Sequence, residues 1–226
     1  MEVAGSCASL YPIYHLIHHL MPPSLHSRVV AILLCGTFLL AAPVATNAQV
    51  AVRAEVGSIT MQLQKTPKIS AGNVKEKREP RPADWLEIEV TFKADIRPEA
   101  PLIDSLQLKY YVVFTDPKTR APAVAVGTVD HVNVVAGQDT NSVMYISPGS
   151  LMQLLQKTSG ISERDLQAVA VEVYHGGQLV GGKASARESD RWWQGRYPMV
   201  DGHLRPKSQT PFAALWSDYY AEEKVN

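Results

Sequence analysis

Leu166-Gln-Ala-Val-Ala-Val-Glu-Val-Tyr-His-Gly-Gly-Gln-Leu-Val-Gly-Gly-Lys-Ala-Ser-Ala186 reads as two β-type arms meeting at Gly176-Gly177. In a tight type I′ turn both central residues take positive φ, which glycine adopts without a Cβ clash. A two-residue Gly-Gly loop therefore predicts a hairpin. Strands that turn so tightly need neighbours, and the rest of the chain supplies them in the same alternating pattern.

Trp85 to Asp95 alternates most cleanly: Leu86, Ile88, Val90, Phe92 and Ala94 face one way, Glu87, Glu89, Thr91 and Lys93 the other. That predicts a strand with one buried and one solvated face, the glutamates on the wet side. Ser105 to Asp116 follows with a partly apolar second face, as in a central strand. Gln49 to Gln64 alternates through Val56 and restarts after Gly57 as Ile59, Met61 and Leu63, so a bulge or bend belongs at Gly57. Ala123 to Val135 slips in phase near Gly127, where a second bulge is expected, and Ser142 to Ser147 is a short strand. Lys65 to Asp84, with Pro67, Pro80, Pro82 and the charge run Lys75 to Glu79, has no apolar period and reads as a long solvated loop.

The period changes at Ser147-Pro148, an N-cap followed by proline in a first helical turn. Leu151, Met152, Leu154 and Leu155 make the stripe of one short helix, ended by Ser159-Gly160. In the tail, Thr210-Pro211 predicts a second helix over 212–223, with Phe212, Leu215, Trp216 and Tyr219 on one face. Short alternating strands separated by turn clusters imply an all-β, two-sheet sandwich of about seven strands. One short crossing helix and a C-terminal helical cap complete the expected fold.

The N-terminus has a different character. Met21 to Arg28 is short and polar with one positive charge, Val29 to Leu40 is almost uninterruptedly apolar, and small residues lead to Ala48. That order predicts a Sec-type signal peptide cleaved after Ala48. The apolar run is shorter than the ~20 residues of a membrane helix, so the mature chain is expected to lack a membrane span. Met21 is the expected true start. Three parts result: residues 1–48 as extension and leader, 49–190 as sandwich, and 191–226 as an aromatic tail packed on it. Export places the chain in the periplasm, on the outer surface or in the medium.

His15, His18, His19 and His26, which as a cluster invite a metal reading, lie in the leader, as do Cys7 and Cys35. The mature chain would carry no disulfide, and an apolar core must stabilise it. The whole chain has 22 Lys+Arg and 22 Asp+Glu, and the leader holds only Arg28 and Glu2, which leaves 21 of each. A neutral balance lacks the electrostatic footprint of nucleic-acid binding.

The mature part shows no Gly-x-Ser-x-Gly elbow, His-Glu-x-x-His, phosphate loop or EF-hand. His131, His175 and His203 sit in separate segments. No catalytic, cofactor-binding or metal site is expected, and the chain reads as a non-enzyme. The interaction candidates are aromatic: Trp192, Trp193, Tyr197 and Trp216. Adjacent tryptophans in an extended segment would point oppositely, leaving one exposed as a platform for a glycan or a protein partner.

Lys-Tyr-Tyr-Val-Val-Phe at 109–114, Met-Tyr-Ile-Ser-Pro at 144–148 and Val-Glu-Val-Tyr-His-Gly-Gly-Gln-Leu-Val at 171–180 occur in order with Trp192-Trp193 and the 210–220 segment. In that order and spacing the chain resembles the verrucomicrobial, Akkermansia-type pilus-like proteins over roughly 85–225. The resemblance implies an immunoglobulin-like sandwich, export, protein partners in a pilus-like or envelope assembly and no enzymatic activity. A true pilin keeps a long apolar N-terminal helix after its processing glycine, whereas the run after Gly36 soon reaches Pro43, Thr46 and Asn47. That favours a surface or accessory role over a place in a fibre shaft. A carbohydrate-binding module using Trp192-Trp193 is the alternative.

Overall fold

The computed structural model describes residues 50–68, 82–186 and 191–224, all within the folded unit Thr46–Asn226. The expected leader and most of the 65–84 loop lie outside the described residues. Seven long strands and a helix come first: β1 Ala51–Lys65, β2 Asp84–Arg97, β3 Leu102–Thr115, β4 Pro122–Val135, β5 Asp139–Ile146, α1 Pro148–Leu155, β6 Leu166–His175 and β7 Gln178–Ala184. The tail adds β8 Met199–Val200 and β9 Leu204–Pro206.

One sheet runs β1-β2-β5-β9 and the other β7-β6-β3-β4-β8. Without the tail strands this is an A-B-E sheet against a G-F-C sheet extended by one strand, the immunoglobulin-like arrangement. Between the sheets lie Leu86, Ile88, Val90 and Phe92 of β2, Leu106, Leu108, Tyr110, Val112 and Phe114 of β3, and Val169, Val171 and Val173 of β6. Each fully buried aliphatic or phenyl side chain contributes about 1.5–3 kcal/mol, so a core this wide supports the fold without disulfides.

The hairpin forms as its sequence demands. Gly176 and Gly177 take φ of 55° and 78°, and His175 pairs with Gln178. The bulge at Gly57 is present as a register shift between Val56 and Ser58. Ser147 caps α1 by accepting from the Ser150 amide at 3.2 Å, and Leu151, Leu154 and Leu155 are its buried face. The helix stops at Leu155, before Ser159-Gly160, because Gln156 turns left-handed (φ 51°).

Three expectations are corrected. The pairing of β3 with β4 runs through Tyr110–Gly127 without a shift, so no bulge lies there. Glycine is needed at 127 because the tail crosses its outer face: an added Cβ would stand 2.4 Å from Leu204 Cβ and 2.8 Å from Met144 Cε. The C-terminal helix is absent. Thr210 to Tyr219 is a run of single turns with amide bonds Ala213→Thr210, Leu215→Phe212 and Tyr219→Trp216, and Trp216 sits at φ 53°. Only Phe212 of the expected apolar stripe is fully buried, while Trp216 and Tyr219 are exposed. The outer face of β2 is also not wholly solvated, since Glu87 is buried beneath the tail.

The tail closes open sheet edges, which would otherwise template unwanted strand pairing. β9 pairs with β5, β8 with β4, and Glu223 bridges to His131 of β4. On the opposite side the Lys183 ammonium of β7 donates to the Gly57 carbonyl of β1 at 2.7 Å. The Glu163 carboxylate accepts the Leu63 amide of β1 at 3.2 Å.

Candidate functional site

Each sheet has an outer face partly covered by the tail, and under each cover lies a buried carboxylate. On the β6–β3–β4 face, Tyr111, Val113, Val124, Val126, Ala168 and Ala170 form a second apolar cluster beneath Trp192 and Trp193. Small alanines leave room for the indoles, which pack edge to face (5.3 Å, 84°). Neither is a platform: Trp192 and Trp193 are 6% and 5% exposed. The segment is a turn, closed by the Gln194 amide on the Arg191 carbonyl, so the opposed orientation expected of an extended stretch does not arise. Tyr197 is half-buried against the same cluster.

Glu172 is the polar centre of this face. Its Oε2 accepts from the hydroxyls of Tyr111 (2.6 Å) and Tyr174 (2.7 Å). Its Oε1 accepts from Trp193 Nε1 (2.9 Å) and Gln194 Nε2 (2.8 Å). Burial opposes its charge, but these donors outweigh burial and hold the carboxyl below its ordinary range. Burial, and then the adjacent carboxylate, push the Tyr111 hydroxyl up in turn. A carboxylate offers about four lone-pair sites. Those of Glu172 are taken, which makes it a structural anchor for the tail.

On the β1–β2–β5 face the tail lays down a stack of rings. Phe212, fully buried, lies flat on Tyr145 (4.6 Å, 7°) and edge-on to Trp85 (5.9 Å, 89°). Trp216 lies nearly parallel above Phe212 (6.4 Å, 14°) and is 47% exposed. Below, Glu87 accepts from Tyr145 Oη (2.8 Å) and Gln62 Nε2 (2.5 Å). Burial, followed by Glu87, raises the Tyr145 hydroxyl pKa. Beside it, Glu89 accepts from the hydroxyls of Tyr219 (3.1 Å) and Tyr220 (3.0 Å). Trp216, Tyr219, Tyr220, Glu87 and Glu89, with Gln62 and Gln64, line an open groove of about 300 Å³. Of the four aromatic candidates, only Trp216 presents an open ring face.

A third constellation sits inside the sandwich. Tyr110 donates to Ser142 Oγ (2.7 Å), and Ser142 is 2.7 Å from His131 Nε2. His131 Nδ1 faces the Glu222 carbonyl at 3.3 Å, which fixes the proton on Nδ1 and makes Nε2 the acceptor of the Ser142 hydroxyl. A serine beside an oriented histidine has the outline of an activated nucleophile. Ser142 and His131 are 0% and 1% exposed, however, so no substrate atom reaches them. Burial pushes the His131 pKa down, in keeping with a neutral structural link between β4, β5 and the tail. His175 and His203 lie apart from it: His175 Nδ1 meets the Ser105 carbonyl at 2.9 Å. Among the described residues no group of His, Cys, Asp and Glu could hold a metal, and no helix is long and apolar enough to cross a membrane.

The pilus-like family model matches residues 45–226, which takes in the sandwich and both tail-covered faces. The chain belongs to the Akkermansia-type pilus-like family. A crystal structure of a protein from Akkermansia muciniphila is similar at 25% identity and a TM-score of 0.70, covering 80% of this chain and 98% of that one. No curated protein matches. In this pilus-like protein, Glu172 and Ser142 are not singled out by the sequence, which reads Glu87 as solvated and His131 as an isolated histidine. One signal was present for Glu172: it interrupts a strand apolar on both faces, Ala168 to Val173, where an acidic residue must be buried and bonded.

Proposed function

We propose that the chain is an exported, non-enzymatic pilus-like protein of the cell envelope that makes protein–protein contacts in a surface assembly. The observation that carries this reading is the family match across 45–226. Export by a Sec-type signal, with residues 1–48 removed and 49–226 folding as sandwich plus tail, is supported by the order of charge, apolar run and small residues up to Ala48. A non-enzymatic role accords with the saturated Glu172 and the sealed Ser142–His131 pair, the two constellations that most resemble reactive sites. Trp216, alone among Trp192, Trp193, Tyr197 and Trp216, has the exposure a partner or ligand requires.

Crosslinking in intact cells followed by affinity isolation of the native protein tests the assembly. The expected result is co-isolation with other envelope components, with the mature N-terminus at Gln49. Recovery solely as a free monomer would overturn the reading. The carbohydrate alternative no longer rests on Trp192-Trp193, whose indoles are buried. Trp216 and its groove favour it instead.

A further inference from the structure

We propose that the groove between Trp216 and Tyr219 binds an uncharged saccharide unit, independently of any assembly role. Three observations converge on it. The Trp216 ring lies nearly parallel to Phe212, offset at 6.4 Å, and Phe212 in turn lies flat on Tyr145 at 4.6 Å, so the exposed indole continues an ordered, buried ring pair. A rigid, exposed aromatic plane suits the C–H face of a pyranose ring.

The polar groups set the ligand class. Tyr219 and Tyr220 both donate to Glu89, so their phenol oxygens are left as acceptors, while Glu89 keeps acceptor capacity of its own. Gln62 spends an amide hydrogen on Glu87, which leaves its carbonyl oxygen to accept, and the Gln64 amide on the wall can donate and accept. Vicinal hydroxyls need both donors and acceptors at short spacing. An anion would be repelled by the two carboxylates, while a cation would be drawn to them and to the ring faces, and the Lys-rich comparator separates that case from a neutral sugar. A volume of about 300 Å³ is at the small end of ligand sites, enough for one or two rings with the chain continuing along the open groove.

The test uses the full mature chain on an array of immobilised neutral oligosaccharides of hexose and N-acetylhexosamine units. Sulfated glycans and Lys-rich peptides serve as comparators, and hits are followed by titration calorimetry. The expected result is binding of a neutral oligosaccharide that changes little from about 0.05 to 0.5 M NaCl, since no charge pair is formed. Trp216→Ala should weaken it about tenfold or more, the scale of one lost stacking contact and its buried area, and Trp216→Phe should restore part of the loss. Gln64→Ala, a surface change that leaves the aromatic stack intact, should weaken it several-fold and guards against misfolding of the first variant. Failure of every neutral glycan, unchanged affinity in both alanine variants, or salt-sensitive capture of the Lys-rich peptide alone would each overturn the proposal. None of these outcomes bears on co-isolation with envelope components.

Discussion

Replacing Glu172 by alanine would strand the donors that converge on it. Two of the four bonds, from Tyr111 and Trp193, are buried, while those from Tyr174 and Gln194 are partly open to water. A buried donor left without a partner costs about 1–3 kcal/mol, so the two buried ones give a loss of about 2–6 kcal/mol. That is a large share of the roughly 5–15 kcal/mol that stabilises a typical domain. Glu172→Gln keeps the shape but turns an NH₂ toward two donors, so it should also be destabilising. The pH dependence follows from the sign of the shift. The folded carboxyl lies below its ordinary range, so the unfolded chain takes up the proton first. The stabilisation is complete above the unfolded value of about 4.3 and fades as pH falls through the lower folded value. Urea unfolding followed by tryptophan fluorescence, run at pH 7 and stepwise into acid, measures both effects. The gap between wild type and Glu172→Ala should be widest at neutral pH and narrow in acid. A Glu172→Ala protein within about 0.5 kcal/mol of wild type at pH 7, the range of an ordinary surface change, would refute the reasoning.

Gly127→Ala should lower stability by about 1–3 kcal/mol, because its methyl would collide with Leu204 and Met144. Because the nearest atom is Leu204 Cβ, which alanine retains, pairing it with Leu204→Gly rather than Leu204→Ala should recover part of the loss in a double-mutant unfolding series. Gly177→Ala, at φ 78°, should cost about 1–2 kcal/mol while Gly177→Asn costs less, read as the shift in thermal midpoint. Phe212→Ala removes the middle ring of the stack and should cost about 3–5 kcal/mol. Hydrogen exchange should then show faster amides in β9 and over 207–221, with the inner strands β3 and β6 still protected.

What the sequence disclosed was what neighbours in sequence decide. Gly176-Gly177 specifies its own turn, Ser147-Pro148 its own cap, and the alternation from Leu86 to Ala94 its own inner face. Failures came where distant segments decide. Glu87 reads as solvated because its strand alternates, and the tail rings that cover that face, Phe212 on Tyr145 and Tyr219 and Tyr220 on Glu89, come more than a hundred residues later. Gly127 shows one letter for two causes, a bulge or a close approach, and the chain that approaches is Leu204. The helical spacing of Phe212, Leu215, Trp216 and Tyr219 was real as a pattern. It lost to the pull of the Tyr145 ring on Phe212 and of Asn141 on Tyr220, contacts that a continuous helix does not make here.

The two tail-covered faces use the same materials toward different ends, and the difference lies in how far each carboxylate is saturated. Glu172 receives four hydrogen bonds beneath two buried indoles, so neither its oxygens nor its rings have anything left to offer a partner. Glu87 takes two and is buried at the floor of the groove. Glu89 takes two from phenols at the surface, next to an indole with one face open. A tail selected only to close sheet edges would finish both faces as it finishes the first. On the second it extends the ring stack by one more layer and leaves acceptors free around it. Stability alone gives no reason for that extra layer, whereas recognition of a ligand at this face does.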